Sequence, residues 1–138
     1  MNSGYSGKPL KDKLGIKPGM KVYFYHCPTS VSTILQYPIQ TYEEVKIIAA
    51  PIDCILCFVT AQSELEGMLV KLREHLLPTG MIWICWPKQT SGIPTDVSEN
   101  RIRDIGLSVK LVDVKVCALD EIWSGLKFVI RLRDRDHE

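Results

Sequence analysis

The sequence predicts an α/β fold: a mostly parallel β-sheet with helices on both faces, closed by a C-terminal antiparallel hairpin. Three observations predict it. Short β-branched and aromatic runs alternate with helical stretches, the pattern of parallel strands joined by right-handed crossovers. Ile52-Asp53-Cys54-Ile55-Leu56-Cys57-Phe58-Val59 is nearly continuous in apolar residues, as a strand covered on both faces must be. The last two strand-like segments are joined by too short a connection for a crossover, so they run antiparallel.

The elements follow in order. Residues 1–8 read as an arm, and 9–14 as a short helix with Pro9 at its start and Gly15 as its stop. Lys17-Pro18-Gly19 is a turn, and 21–26 form the first strand. Thr29 or Ser30 caps a helix over 31–37. A second strand spans 45–50, Pro51 breaks it, and 52–59 is the third. Leu65, Met68, Leu69, Leu72 and Leu76 recur on one face of a helix over 63–77, with Glu64, Glu66 and Lys71 toward solvent. Pro78-Thr79-Gly80 ends it, and 81–86 form the fourth strand. Asp96 and Glu99 have capping-box spacing, so a helix over 97–105 starts at Asp96 and stops at Gly106. Residues 109–119 and 126–132 form the closing strands, and 133–138 a charged tail.

The chain has 138 residues, 46% hydrophobic and 24% charged. That fits one domain over 1–138 with a core that needs no staples. Seventeen Lys and Arg against 16 Asp and Glu leave a formal charge of +1, without the basic excess of nucleic-acid or membrane-surface proteins. No apolar stretch reaches the ~18 residues of a membrane span, and the N-terminus carries no apolar signal core. Five cysteines, an odd number mostly inside apolar runs, read as reduced, packed thiols in a cytoplasmic protein.

In open α/β sheets ligands sit beyond the carboxyl ends of the parallel strands. That rule gathers His26, Cys27 and Thr29, then Thr60 and Gln62, then Trp86, Lys88 and Ser91, and finally Asp120, Trp123 and Ser124. Trp86-Pro87-Lys88 and Trp123-Ser124-Gly125-Leu126-Lys127 set aromatic rings beside cations, which suits an anionic or aromatic ligand. His26-Cys27 suggests an activated thiol, but neighbours on a strand point to opposite faces. Cys54 and Cys57, three apart, face opposite sides of their strand, so one metal ion could not use both. Asp53 near a strand start can bond loop amides, and Asp113 and Lys115, two apart, can pair on one face. Neither G-x-x-x-x-G-K-[ST] nor G-x-G-x-x-G occurs after any strand.

Leu14-Gly15-Ile16-Lys17-Pro18-Gly19-Met20-Lys21-Val22 resembles the lead-in to the first strand of class I S-adenosylmethionine-dependent methyltransferases. Ile52-Asp53-Cys54-Ile55-Leu56 and the L-L-P-x-G string before the fourth strand resemble later segments of the same enzymes. The resemblance implies a Rossmann-like, truncated methyltransferase-type sheet over about 10–132, with one strand and its helix missing. The chain also resembles a family of short bacterial proteins known as a domain of unknown function. Tyr5-Ser6-Gly7, Trp86-Pro87-Lys88, Thr95-Asp96-Val97, Val112-Asp113-Val114-Lys115-Val116-Cys117 and Trp123-Ser124-Gly125-Leu126-Lys127 carry that match, which transfers no catalytic residue.

The departures from the enzymes bear on function. Their first strand enters a G-x-G turn, where this chain has His26, Cys27 and Pro28. They place an acidic residue at the end of the second strand, and the one expected here ends Ala49-Ala50-Pro51. Both cofactor handles read as missing, so no cofactor is expected, and S-adenosylmethionine is a candidate without its motifs. The expectation is a non-catalytic module binding a protein partner or a small anionic or aromatic ligand at the rim. The alternatives are a small methyltransferase with atypical cofactor contacts and a single-strand nucleic-acid binder, the latter disfavoured by charge. Membranes are not an expected partner.

Overall fold

A computed structural model describes residues 8–49 and 51–135. Six strands form one sheet in the order β2-β1-β3-β4-β6-β5. They are β1 (Lys21–Tyr25), β2 (Glu43–Val45), β3 (Ile52–Phe58), β4 (Leu76–Pro87), β5 (Leu111–Ala118) and β6 (Trp123–Ile130). β1, β2, β3 and β4 run parallel, and β6 lies antiparallel between β4 and β5. The fold class read from the sequence is the one observed. Among the described residues no helix is long and apolar enough to cross a membrane.

The helices divide between the faces. α1 (Leu10–Leu14) and α2 (Thr29–Leu35) pack with Val22, Cys54, Leu56, Trp83 and Cys85. α3 (Gln62–Glu74) and α4 (Glu99–Ser108) cover Ile55, Cys57, Ile82, Ile84 and Phe128 on the other face. β3 is buried on both sides almost throughout, which is why its sequence shows no alternation. On the first face the indole N–H of fully buried Trp83 donates to the carbonyl of Leu14 at 3.0 Å and fixes α1 to the sheet. Lys11, on α1, donates to the Ile39 carbonyl and ties that helix to the segment before β2. Asp53, at the start of β3, accepts the Lys21 amide at 2.8 Å, as its position suggested.

Several boundaries differ from expectation. β2 is Glu43–Val45, earlier than the 45–50 segment, because its parallel register with β1 sets Glu43 against Lys21 and Val45 against Tyr23. β4 begins at Leu76, so the strand runs through Pro78-Thr79-Gly80, which bulge out of register between the Ile52–Leu76 and Cys54–Met81 pairs. The cap of α4 is Ser98, whose hydroxyl accepts the Arg101 amide. Asp96 instead accepts the amide of Gln62 at 2.7 Å and so caps α3, whose own N-cap, Ala61, has no side chain for the task. Asp113 and Lys115 do not pair. A bulge between them disturbs the alternation, and Asp113 meets Arg103 at 3.0 Å while Lys115 lies opposite Lys127. Residues of the expected charged tail form a short helix, α5 (Leu132–Arg135). The arm lies outside the described residues except for Lys8, as do 136–138.

Gly106 is not a helix stop. It lies inside α4, where a Cβ would stand 2.2 Å from the ring of fully buried Phe128. Gly106→Ala is therefore expected to lower stability by about 1–3 kcal/mol, although alanine favours helix. Chemical denaturation of both forms measures this, and an unchanged or raised midpoint would contradict the packing described.

Candidate functional site

Strands β1, β3 and β4 end at one rim. β5 is parallel to β4, so the β5–β6 turn reaches the same rim. The half over β4, β5 and β6 is tied shut. The Lys88 amide donates to the Ile122 carbonyl at 2.8 Å, and its ammonium to the Asp120 carbonyl at 2.7 Å. The Asp120 carboxylate accepts the amides of Ile122 and Trp123 and shapes the turn from inside. Ser91 builds the adjoining turn by donating to the Lys88 carbonyl and accepting from the Ile93 amide. The Thr95 hydroxyl donates to the Thr60 carbonyl at 2.6 Å and straps the segment before α4 across the end of β3.

The two tryptophans are not brought together. Trp86 belongs to the core under α3 and α4, with 8% of its surface exposed. Trp123 is half-buried on the opposite face, edge-on to Phe58 with ring centroids 5.2 Å apart. Ser124 lies between them on β6, paired with Trp86 and Ala118. The Lys88 ammonium is spent on a carbonyl. This half of the rim is held by its own hydrogen bonds.

The other half is open at the end of β1, where the connection to α2 packs on one face and the helix following β3 packs on the other. Such a reversal makes a crevice in which open α/β sheets hold ligands. His26 stands there with φ +56°, a left-handed conformation that costs a non-glycine residue on the order of 1 kcal/mol. Its ring stacks on Tyr25, centroids 3.9 Å apart and planes 19° from parallel. Its Nδ1 is 3.4 Å from Oε2 of Glu64, in the first turn of α3. The same oxygen accepts the Tyr25 hydroxyl at 2.6 Å. That bond first, then burial and the Glu64 charge, push the Tyr25 hydroxyl up to about 12, so it remains a donor.

Cys27 follows, half-buried between β1 and α2. Burial, then the Glu44 carboxylate on β2, push its thiol up to about 12. Cys54, Cys57 and Cys85 are buried and raised as well, chiefly by desolvation. Cys54 and Cys57 fall in the cores of opposite faces. Among the described residues no three His, Cys, Asp or Glu form a metal-sized group.

Sequence reasoning missed Tyr25, Glu44 and Glu64. Glu64 read as solvent-facing, and Glu44 lay outside the expected second strand. A carboxylate in the first turn of the helix after β3 was the available signal for Glu64, since that turn opens at the rim.

Strand order, the single antiparallel strand next to the edge and the crevice at the end of β1 define a Rossmann-like α/β domain. Solved structures narrow the class to the fold of S-adenosylmethionine-dependent methyltransferases. One from Aquifex aeolicus matches with a TM-score of 0.64 and 18% identity, over 87% of this chain and 87% of that one. Magnesium protoporphyrin IX methyltransferase from Synechocystis, with bound S-adenosylhomocysteine, matches at 0.58 and 11%, over 88% of this chain and 78% of that one. A TehB-like methyltransferase from Corynebacterium glutamicum matches at 0.57 and 12%, over 88% and 85%. At these identities the likeness is one of fold. No family model and no curated protein sequence matches the chain.

The expectation of no cofactor is thereby corrected. The Synechocystis protein holds S-adenosylhomocysteine in one structure and S-adenosylmethionine in another, so the fold is one that binds this cofactor. The expectation looked for an acidic residue at the end of 45–50, and β2 itself carries Glu43 and Glu44.

Two outcomes follow. Trp86→Ala is expected to lower stability by roughly 3–5 kcal/mol, as a core truncation does; a denaturation midpoint close to wild type would place the ring in an open site instead. Because the Cys27 thiol is raised, thiolate forms only toward pH 12. Iodoacetamide labelling of Cys27 at pH 8, followed by peptide mapping, should run more than about a hundredfold slower than for a free thiol of pKa ~8.5.

Proposed function

We propose that the chain binds S-adenosylmethionine in the crevice at the end of β1 and transfers its methyl group to a small acceptor. The observation that carries this reading is the left-handed turn at His26, at the point where the helices change faces. A glycine would make that turn without strain. Here the backbone takes the same path with a histidine in place of it.

The residues present fit the cofactor. The turn at His26 leads the chain from β1 toward α2 at the strand end. Glu44 pairs in register with Val22, near the start of β1, and its charge reaches the Cys27 thiol; it is the acidic group that β2 offers to the ribose hydroxyls. Lys46 meets the same carboxylate at 3.1 Å on the exposed side. Glu44 and Glu64 also give the crevice the sign that suits a sulfonium cation. Pro28 offers no N–H, so fewer backbone donors are available than a glycine turn gives. A cytoplasmic setting is part of the proposal and suits five free cysteines.

Calorimetric titration with S-adenosylmethionine and S-adenosylhomocysteine tests the reading. Saturable binding in the micromolar range is expected, and Glu44→Ala should weaken it about tenfold or more, the loss of one or two hydrogen bonds to a charged group. Absence of binding at millimolar cofactor would overturn the proposal. Binding that ignores Glu44→Ala would remove the ribose role.

A further inference from the structure

We propose that His26, oriented by Glu64 and Tyr25, is the proton acceptor at this site, and that the methyl acceptor is accordingly a molecule whose nucleophile carries a proton, an O–H or an N–H. The inference deepens the proposed function and rests on it.

Three separate features hold the ring. Its backbone is in the left-handed region, which costs a non-glycine residue on the order of 1 kcal/mol. Its plane is fixed by the stack on Tyr25. Its Nδ1 faces the Glu64 carboxylate at 3.4 Å. A carboxylate accepts and does not donate, so the tautomer this approach favours carries its hydrogen on Nδ1 and leaves the lone pair on Nε2. Nε2 has no hydrogen-bond partner among the described residues, and 65% of the side chain is exposed.

Tyr25 completes the arrangement. Its hydroxyl donates to the same Glu64 oxygen, which holds that carboxylate in place. When Nε2 takes a proton, the imidazolium forms beside a fixed negative charge, the role a carboxylate plays behind a general-base histidine. S-adenosylmethionine supplies an electrophilic methyl carbon: the acceptor lone pair bonds to it as the carbon–sulfur bond breaks, leaving S-adenosylhomocysteine, and the acceptor's proton moves to Nε2. Water then carries the proton from Nε2, and the site is restored. An acceptor that is already an anion, such as a carboxylate, needs none of this apparatus and would be repelled by Glu64.

The test begins with the ring itself, in cofactor-free protein. Nitrogen-15 NMR of wild type above neutral pH is expected to find His26 as the Nδ1–H tautomer, and Glu64→Gln should reduce that form to the minority. An Nε2–H ring in wild type, or a tautomer indifferent to Glu64→Gln, overturns the inference. The second arm follows labelled methyl transfer from S-adenosylmethionine to phenol, aniline and an alkyl amine. His26→Gly keeps the backbone turn and removes the base, so transfer should fall a hundredfold or more and recover with added imidazole. Loss without recovery marks the ring as structural and overturns the inference, as does wild type that methylates none of the three. Binding of cofactor with the wrong tautomer sinks this inference alone. Absence of cofactor binding sinks the proposed function, and the acceptor with it.

Discussion

Strand β4 fixes the geometry on which the rest depends, because it is parallel to β3 on one side and antiparallel to β6 on the other. The antiparallel neighbour obliges the chain to arrive by way of the outer strand, β5, and to turn back at the rim where the parallel strands end. That turn then sits beside Lys88, the residue that follows β4, and both Lys88 donors bind to it. Residues 81–87 are buried on both faces, so neither half of the seam can shift without exposing core. The consequence reaches the site. With the β4 side of the rim closed by its own backbone bonds, the end of β1 is left as the place with an exposed, strained and chemically capable group.

Those central strands were legible because burial on two faces leaves a mark in composition. β3 reads as an unbroken apolar run, and β4 as another from Met81 onward, while the hairpin follows from a connection too short for a helix. β2 left no such mark. Two of its three residues are Glu, a poor strand former, and the segment has little to bury; it is a strand because β1 offers an edge. Misplacing that strand by a few residues was enough to hide Glu44. The bulge at Val114 and the exchange of caps between Asp96 and Ser98 are of the same kind. Each depends on a partner distant in the chain that local pattern does not report.

The rim was legible as a set of positions and not as a set of partners. His26 was placed by the rule that ligands gather at strand ends, but Glu64 meets it from 38 residues away, through a helix whose polar side looks like any solvated face. Trp86 and Trp123 teach the converse. Both lie near the rim in chain order, yet which face each ring takes depends on strand parity across β4 and β6, and the parity sends them apart.

The character of the open site follows from what burial does to its titratable groups. Desolvation holds Cys27, and more strongly Cys54, Cys57 and Cys85, in the thiol form, so thiolate chemistry is closed at these four cysteines at neutral pH. Tyr25 is bound to Glu64 and raised to about 12, which makes it a donor that does not release its proton. What remains is an imidazole with one nitrogen facing a carboxylate and the other facing solvent. That imidazole sits in a left-handed turn, where glycine would fold more easily. The absence of glycine at the end of β1, which by itself suggests a lost cofactor site, is the same substitution that puts a base there.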